Sequence, residues 1–455
     1  MRKASRVLEH PEAVIDSLFE NLSMSEILPT VGQAHKRGSG ATGAAGAPGH
    51  RLGQAPTGSK SRPLGIYAKS VHALGAAEAS SGFSPMAARV QRFALQSVAR
   101  QVLPESRTAK CLRWRAHKQD VKVWKSHEHK TAHYSGLQTC SSVWTCPVCA
   151  AKIAERRRAE VLGAMSVHQA GGGNVHLLTV TVPHQRGDNL VTLLEQQKEA
   201  LRRFWNDREV KAVLAEMGYL GQIRATEVTH GRKSPRNNGW HPHYHVLLFT
   251  GSGVDLARFD KAQRRDWEVR LYMVWARVCK AAGLGLPSIA HGLKLDAGDK
   301  ASQYMTKWGL EHELTYGHIK KGKTGGETPF DLLRSLLADP GDKQAAALFR
   351  EYAEAFKGKR QLFWSHGLKA RFAVAESTDE ELAQRIEEGA ELLGQITPQQ
   401  WRDVLKVEAR ATVLEIAAKR SWHHVERFLW LIEGAHTGTP IPPDVLSEAR
   451  TLLLE

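Results

Sequence analysis

No apolar run in this chain approaches the roughly 20 residues that a membrane span needs, and hydrophobic residues make up 42% of its 455 positions. The opening "MRKASRVLEHPEAVIDSLFENL" breaks its apolar residues with charges, so no secretory leader is expected and the expected location is the cytoplasm. Cysteine is scarce. Five cysteines, an odd count in a chain without an export signal, argue against a disulfide framework and for thiols kept for metal or packing. Acidic residues are too few to balance the basic ones: 47 against 63, a formal charge of +16. That excess points to a polyanionic partner, and nucleic acid is the commonest.

Low complexity marks the first hundred residues. "RGSGATGAAGAPGHRLGQAPTGSKSRPLG" can bury little, so residues 1–100 are expected to be largely disordered, with short helices near "EAVIDSLFENL" and "MAARVQRFALQSVARQVL". Residues 101–164 form a cysteine-rich module that ends in a basic helix. Residues 165–375 mix strands and helices, and residues 376–455 read as helical. Within the mixed region "NVHLLTVTVPH" is a strand, "NLVTLLEQQKEALRRFWNDREVKAVLAEM" a helix, and "LGQIRATEVTHG" and "WHPHYHVLLFTG" are strands around the turn-rich "GRKSPRNNG". A helix over "DLARFDKAQRRDWEVRLYMVWARVCKAAGLG" follows. This order suits an α+β fold: an antiparallel sheet with packed helices.

Three histidines stand out. His241, His243 and His245 alternate along "GWHPHYHVLLF", so on a strand they share one face. If the hairpin folds symmetrically about "GRKSPRNNG", Glu227 lies opposite His243 on that same face. Imidazoles and one carboxylate leave coordination positions open, as catalytic metal sites do and closed structural sites do not. Surface histidines satisfied by local hydrogen bonds are the plainer alternative.

Further on, "DKASQYMTKWG" sets Lys300, Tyr304 and Lys307 on one helical face. A phenol with a pKa near 10 is a poor nucleophile at neutral pH, and nearby positive charge favours the phenolate. An amphipathic helix with solvated lysines would look the same. Cys140, Cys146 and Cys149, in "CSSVWTCPVC", with Cys111 upstream, offer four thiolates for a structural zinc. His133 could replace Cys111. Cys279 reads as a core thiol. The zinc module is expected to present Trp144 and "KIAERRR", with Arg156, Arg157 and Arg158, to DNA. "GHIKKGKT" matches a phosphate-binding loop in letters but lacks the strand before and helix after that such a loop needs. Lys320, Lys321 and Lys323 are expected instead to meet DNA phosphate.

Read together and in order, "CSSVWTCPVC", "LLTVTVP", "HPHYH" and "YMTK", with "EHELTYG", "TPFDLL" and "FWSHGL" beside them, resemble the HUH endonucleases, and among them the plasmid rolling-circle replication initiators. The resemblance runs from about Cys111 to Leu368. It implies a ferredoxin-like HUH palm over residues 165–375. It also implies that His243 and His245 are the family's histidine pair, with Glu227 the third ligand for magnesium or manganese. Tyr304 would attack the scissile phosphate, form a 5′-phosphotyrosine and leave a 3′ hydroxyl for a polymerase; Lys307 would help position phosphate or phenolate. Origin DNA, single-stranded or in a hairpin, is the implied partner, with host helicase and polymerase beside it. His241 is kept as a neighbour of the ligands or a DNA contact.

One departure matters. Where some members hold a glutamate four residues before the tyrosine, this chain has Lys300. The group that ends a round is left open among Asp299, Glu311, Glu313 and a second tyrosine, Tyr316. The same chemistry would suit a rolling-circle transposase or a mobilisation relaxase. A zinc-bearing DNA-binding regulator without catalysis is the reading from another class.

Overall fold

The computed structural model describes residues 85–116, 120–235, 237–252, 261–298, 301–302, 326–386 and 389–437. The expected disorder of residues 1–84, the tyrosine helix with Tyr304 and Lys307, and Lys320, Lys321 and Lys323 lie outside the described residues.

Helix α1 (Pro85–Val102) and the single turn α2 (Arg107–Lys110) lead into a hairpin of β1 (Val121–Ser126) and β2 (Thr131–Ser135). Helix α3 (Pro147–Ala170) starts at Pro147, where a missing N–H leaves no bond unmade. Strand β3 (Asn174–Thr181) follows. The long helix expected next is two: α4 (Leu190–Asn206) and α5 (Arg208–Glu216). Asp207 parts them. Its backbone is extended (φ −68°, ψ 141°) and its carboxylate accepts the Glu209 N–H, so it caps a fresh helix.

Strands β4 (Tyr219–His230) and β5 (Trp240–Thr250) form the long hairpin, followed by α6 (Lys261–Ala281) and β6 (Leu293–Asp296). Helices α7 (Pro329–Ala338) and α8 (Lys343–Ala355), strand β7 (Leu362–Trp364), the short helices α9 (Leu368–Arg371) and α10 (Asp379–Gln384), strand β8 (Glu391–Ile396), and helices α11 (Pro398–Lys406), α12 (Arg410–Lys419) and α13 (Trp422–Thr437) complete the described chain. Capping boxes at Thr328/Asp331, Thr378/Glu381 and Thr397/Gln400 set the starts of α7, α10 and α11.

The larger sheet has the order β6-β3-β5-β4-β7, antiparallel throughout. Strand β5 is its centre. From Val246 to Phe249 both faces of β5 are buried, which is why "VLLF" is apolar without alternation. One face there packs with Val161 and Met165 of α3, Val175 and Leu177 of β3, Ile223 and Ala225 of β4, and Ala301. Pro242 is tolerated in β5 because β3 pairs no further than His243, so the strand is one-sided at the proline.

The smaller sheet has the order β2-β1-β8. Strand β8 corrects the helical reading of residues 376–455. Its apolar spacing suits a helix, but it pairs with β1, Val121 opposite Ile396 and Val123 opposite Gly394. Gly394 is required there, because a Cβ would overlap the Trp422 indole. Of the described residues, those from 85 to 422 form one compact unit and those from 423 to 437 fall outside it. The chain is therefore α+β, with antiparallel sheets and packed helices. No described helix is long and apolar enough to cross a membrane.

Candidate metal centres

Burial alternates over the first half of β5. Trp240, Pro242 and Tyr244 are buried, while His241, His243 and His245 are half-buried on the opposite face. The hairpin register sets Glu227 across from His243 and Ala225 across from His245, the register that symmetric folding requires. Glu227 Oε2 lies 3.4 Å from His243 Nε2 and 3.6 Å from His245 Nε2. Ligands about 2.1 Å from a shared ion are about 3.0–3.4 Å apart at angles of 90–110°. The carboxylate stands within a few tenths of an ångström of that spacing from each imidazole, and the three ligand atoms, all within 4.8 Å of one another, form a set that could hold a metal ion.

The far ring nitrogens point the near ones at that set. His243 Nδ1 donates to the His241 carbonyl, 3.1 Å away, which leaves Nε2 as the lone pair. His245 Nδ1 meets Thr179 Oγ1 at 3.0 Å, across the β3–β5 pairing. Such partners fix the ring orientation of a ligating histidine. Burial lowers the His245 pKa, with Glu227 opposing and His243 adding to the shift; a neutral imidazole is the form that ligates.

His241 separates from its neighbours. It is not in the ligand set. Its ring is stacked between His184 (4.6 Å) and His243 (5.0 Å). Burial, followed by the nearby His243, His184 and His245, pushes its pKa down to about 3. Thr179 and His184 are neighbours of the histidines that the sequence did not single out. Thr179 sits in the "LLTVTVP" strand at the right parity, but only the register of β3 on β5 selects it.

The second centre is closed. Cys111, Cys140, Cys146 and Cys149 are buried together. Sγ separations are 3.4 Å (Cys111–Cys149), 3.7 Å (Cys140–Cys149) and 3.8 Å (Cys111–Cys146). These are far too long for disulfides. A tetrahedral ion with bonds of about 2.3 Å to sulfur needs edges of about 3.8 Å, so the donor set fits zinc. His133 is not in the set; it stands on β2 opposite Trp124. The Cys140 N–H donates to Cys111 Sγ (3.4 Å) and Gln96 Nε2 to Cys146 Sγ (3.1 Å). Hydrogen bonds from Cys140, Cys146 and Cys149, with burial, hold the Cys111 thiol well above its usual range. Burial opposes ionisation of Cys146, but bonds from the other three hold it well below. Gln96 Oε1 also accepts from the fully buried Arg410 (2.6 Å). Arg410 in turn pairs with Glu408 (3.0 Å), which also pairs with Arg113. A buried polar chain thus runs from Cys146 through the Gln96 amide to the ion pairs at the start of α12.

The basic helix and its tryptophan are engaged internally. Trp144 is buried and corrects the expectation that it faces DNA: its indole donates to Lys359 O (2.7 Å) and packs against Tyr352 and Phe356. Arg156 donates to the carbonyls of Leu382 and Arg385, and Arg157 to Ser377 O, Asp379 and Glu160. Arg158 pairs with Glu155 (2.5 Å) on the same helix. Cys279 is a core thiol as read, its pKa pushed up to about 12 by burial.

The fold and sites define a class: an α+β domain with an open two-histidine, one-carboxylate group on an antiparallel sheet, beside a closed four-cysteine cluster. Known proteins narrow it. A family model described as "Replication protein" matches residues 133–267, a span that takes in both the cysteine pair 146/149 and the histidine strand. A "Protein rep" of Streptomyces lividans is 28% identical over 294 residues, 51% of this chain and 63% of that protein. A "Neomycin resistance protein" of Streptomyces cyanogenus is 31% identical over 150 residues, 28% of this chain and 33% of its own length. A "Protein rep" of Bacillus amyloliquefaciens is 33% identical over 107 residues, covering 23% and 28%. The chain thus spans less than two thirds of each of these relatives. No solved structure matches.

Proposed function

We propose that this chain initiates rolling-circle replication of a plasmid by cutting one strand of origin DNA through Tyr304. The observation that carries the reading is the convergence of Glu227, His243 and His245 on one open face of the sheet. Similarity to proteins named for replication supports the setting. So does the start of the segment that leads to Tyr304: Ala301 is buried among Leu247 and Phe249, which share the strand face of His243 and His245.

A divalent cation, magnesium or manganese, held by Glu227, His243 and His245 would polarise the scissile phosphate. Thr179 and the His241 carbonyl keep the two imidazoles turned inward. The Tyr304 oxygen attacks phosphorus, its proton departs, and the bond to the 3′ oxygen breaks. The 3′ oxygen gains a proton and the 5′ phosphate stays on the tyrosine. Because the phosphodiester is exchanged and not hydrolysed, the returning 3′ hydroxyl can displace the tyrosine and rejoin the strand without ATP. Lys307, three residues on in the sequence, would supply positive charge to phosphate or phenolate. The four cysteines would hold a structural zinc, and the basic surface supplies affinity for the DNA backbone.

The test is a covalent adduct. Full-length protein is mixed with single-stranded DNA of the replicon that encodes it, with manganese, then denatured and resolved. A protein–DNA band is expected, lost with chelator and lost in Tyr304→Phe. A band that persists in Tyr304→Phe removes the nucleophile; no band from the native chain removes the cutting reaction.

A further inference from the structure

A polar cavity of about 320 Å³ opens next to the histidine stack. Its lining includes Pro183 and His184, Asp188 and Asn189 at the start of α4, Gln196 from within that helix, and Gly283. The cavity is tied to the candidate cation site through rings. His184 lines it and stacks at 4.6 Å on His241, which stacks at 5.0 Å on the ligand His243.

Three of its polar side chains are held by bonds within the protein. Asp188 Oδ2 accepts the Gln185 N–H at 2.8 Å, and Asn189 Oδ1 accepts the Thr192 N–H at 3.1 Å. His184 Nδ1 donates to the Val182 carbonyl at 3.1 Å, which sets the ring and leaves Nε2 as an acceptor. Gly283 has a left-handed backbone (φ +83°), and a Cβ there would sit 2.9 Å from Gln196 Nε2. Glycine at that position keeps the Gln196 amide clear.

This chemistry suits one kind of ligand. Volume is at the small end of ligand pockets, room for a single flat group. Amides offer donor and acceptor side by side, which matches the edge of a base. An imidazole face offers stacking. Among the described residues no lysine or arginine lines the cavity, so the described lining favours a neutral group over phosphate. We infer that the cavity receives one unstacked nucleobase of the strand held at the Glu227/His243/His245 face, and that Gln196 and Asp188 read its edge. This rests on the proposed function for the identity of the strand. The cavity then sets a base preference at one fixed distance from the cut, where phosphate contacts alone would carry none.

The experiment uses the full chain and a pool of single-stranded DNA of random sequence. One arm selects bound strands in chelator, where no cutting is possible; the other captures covalent adducts in manganese. Both pools are sequenced. The native chain should enrich one base at one position. Gln196→Leu should flatten that preference by about tenfold. Gln196→Glu, similar in size but lacking the amide donor, should exchange the preferred base for another. A variant that melts well below the native chain is set aside, and the other decides. A position-specific preference unchanged in both variants, or no preference in the native chain, overturns the inference. Flattening in the binding arm with no adduct from the native chain keeps the cavity and removes the cutting reaction.

Discussion

Replacing Cys146 with serine should strip metal from the cysteine cluster and destabilise the compact unit around it. Cys146 is fully buried and starts α3. Its sulfur lies 3.8 Å from that of Cys111 and takes a bond from Gln96. The three Sγ separations, 3.4, 3.7 and 3.8 Å, differ from the edge of a zinc tetrahedron, about 3.8 Å, by at most a few tenths. Little of the binding free energy is therefore spent on rearrangement. Structural zinc supplies about 10–16 kcal/mol in zinc-finger peptides, which matches or exceeds the whole stability of a typical domain, about 5–15 kcal/mol. Loss of one ligand at a quarter of that value costs about 3 kcal/mol. At about 2–4 °C per kcal/mol the midpoint falls by several degrees or more. Zinc per chain, measured by elemental mass spectrometry, should be one in the native protein and well under half in Cys146→Ser, with a lower Tm. Cys279→Ala is the control: that thiol is buried in α6, outside the cluster, and its loss should leave the zinc count unchanged. Folded native protein without zinc, or Cys146→Ser with full zinc and native Tm, refutes the reasoning.

Two further outcomes follow from the same geometry. Thr179→Val removes the partner of His245 Nδ1, so manganese affinity, read by calorimetric titration, should fall about 10- to 100-fold; an unchanged Kd would show that Thr179 does not orient the ligand. Glu408→Gln leaves Arg410 and Arg113 buried without their shared counter-charge and should cost about 3–5 kcal/mol in urea unfolding. Burial opposes ionisation of Glu408, but Arg410 and Arg113 hold its carboxyl below the usual range. Its stabilisation is thus complete above the unfolded carboxylate range, near pH 4.3, and is lost as pH falls through the lower folded value. The variant should be less stable than the native chain at pH 7, with the gap narrowing in acid; a gap that persists unchanged to pH 2 would contradict the pairing.

Much of the site was legible in the letters. Alternation put His241, His243 and His245 on one face, because a strand has period two. Symmetric folding of the hairpin offered Glu227 as their partner, but a loop as long as "GRKSPRNNG" does not fix a register, and the β4–β5 pairing supplied it. The spacing of Cys140, Cys146 and Cys149 pointed to a tetrahedral thiolate site. These inferences need only local geometry.

Contacts between distant segments needed the tertiary structure. Whether Cys111 or His133 completes the cluster depends on how the turn after α2 meets the start of α3, 38 residues apart. Thr179 and His184 reach the histidines only through the β3–β5 pairing. Trp144 looked available to DNA and is buried, because α8 brings Tyr352 and Phe356 to it. Strand β8 carries a helix-like apolar spacing and becomes a strand because β1 has an open edge for it. Local periodicity determined which side chains share a face; packing across the chain decided which faces meet, since a register or a buried partner is a property of two segments and not of either one.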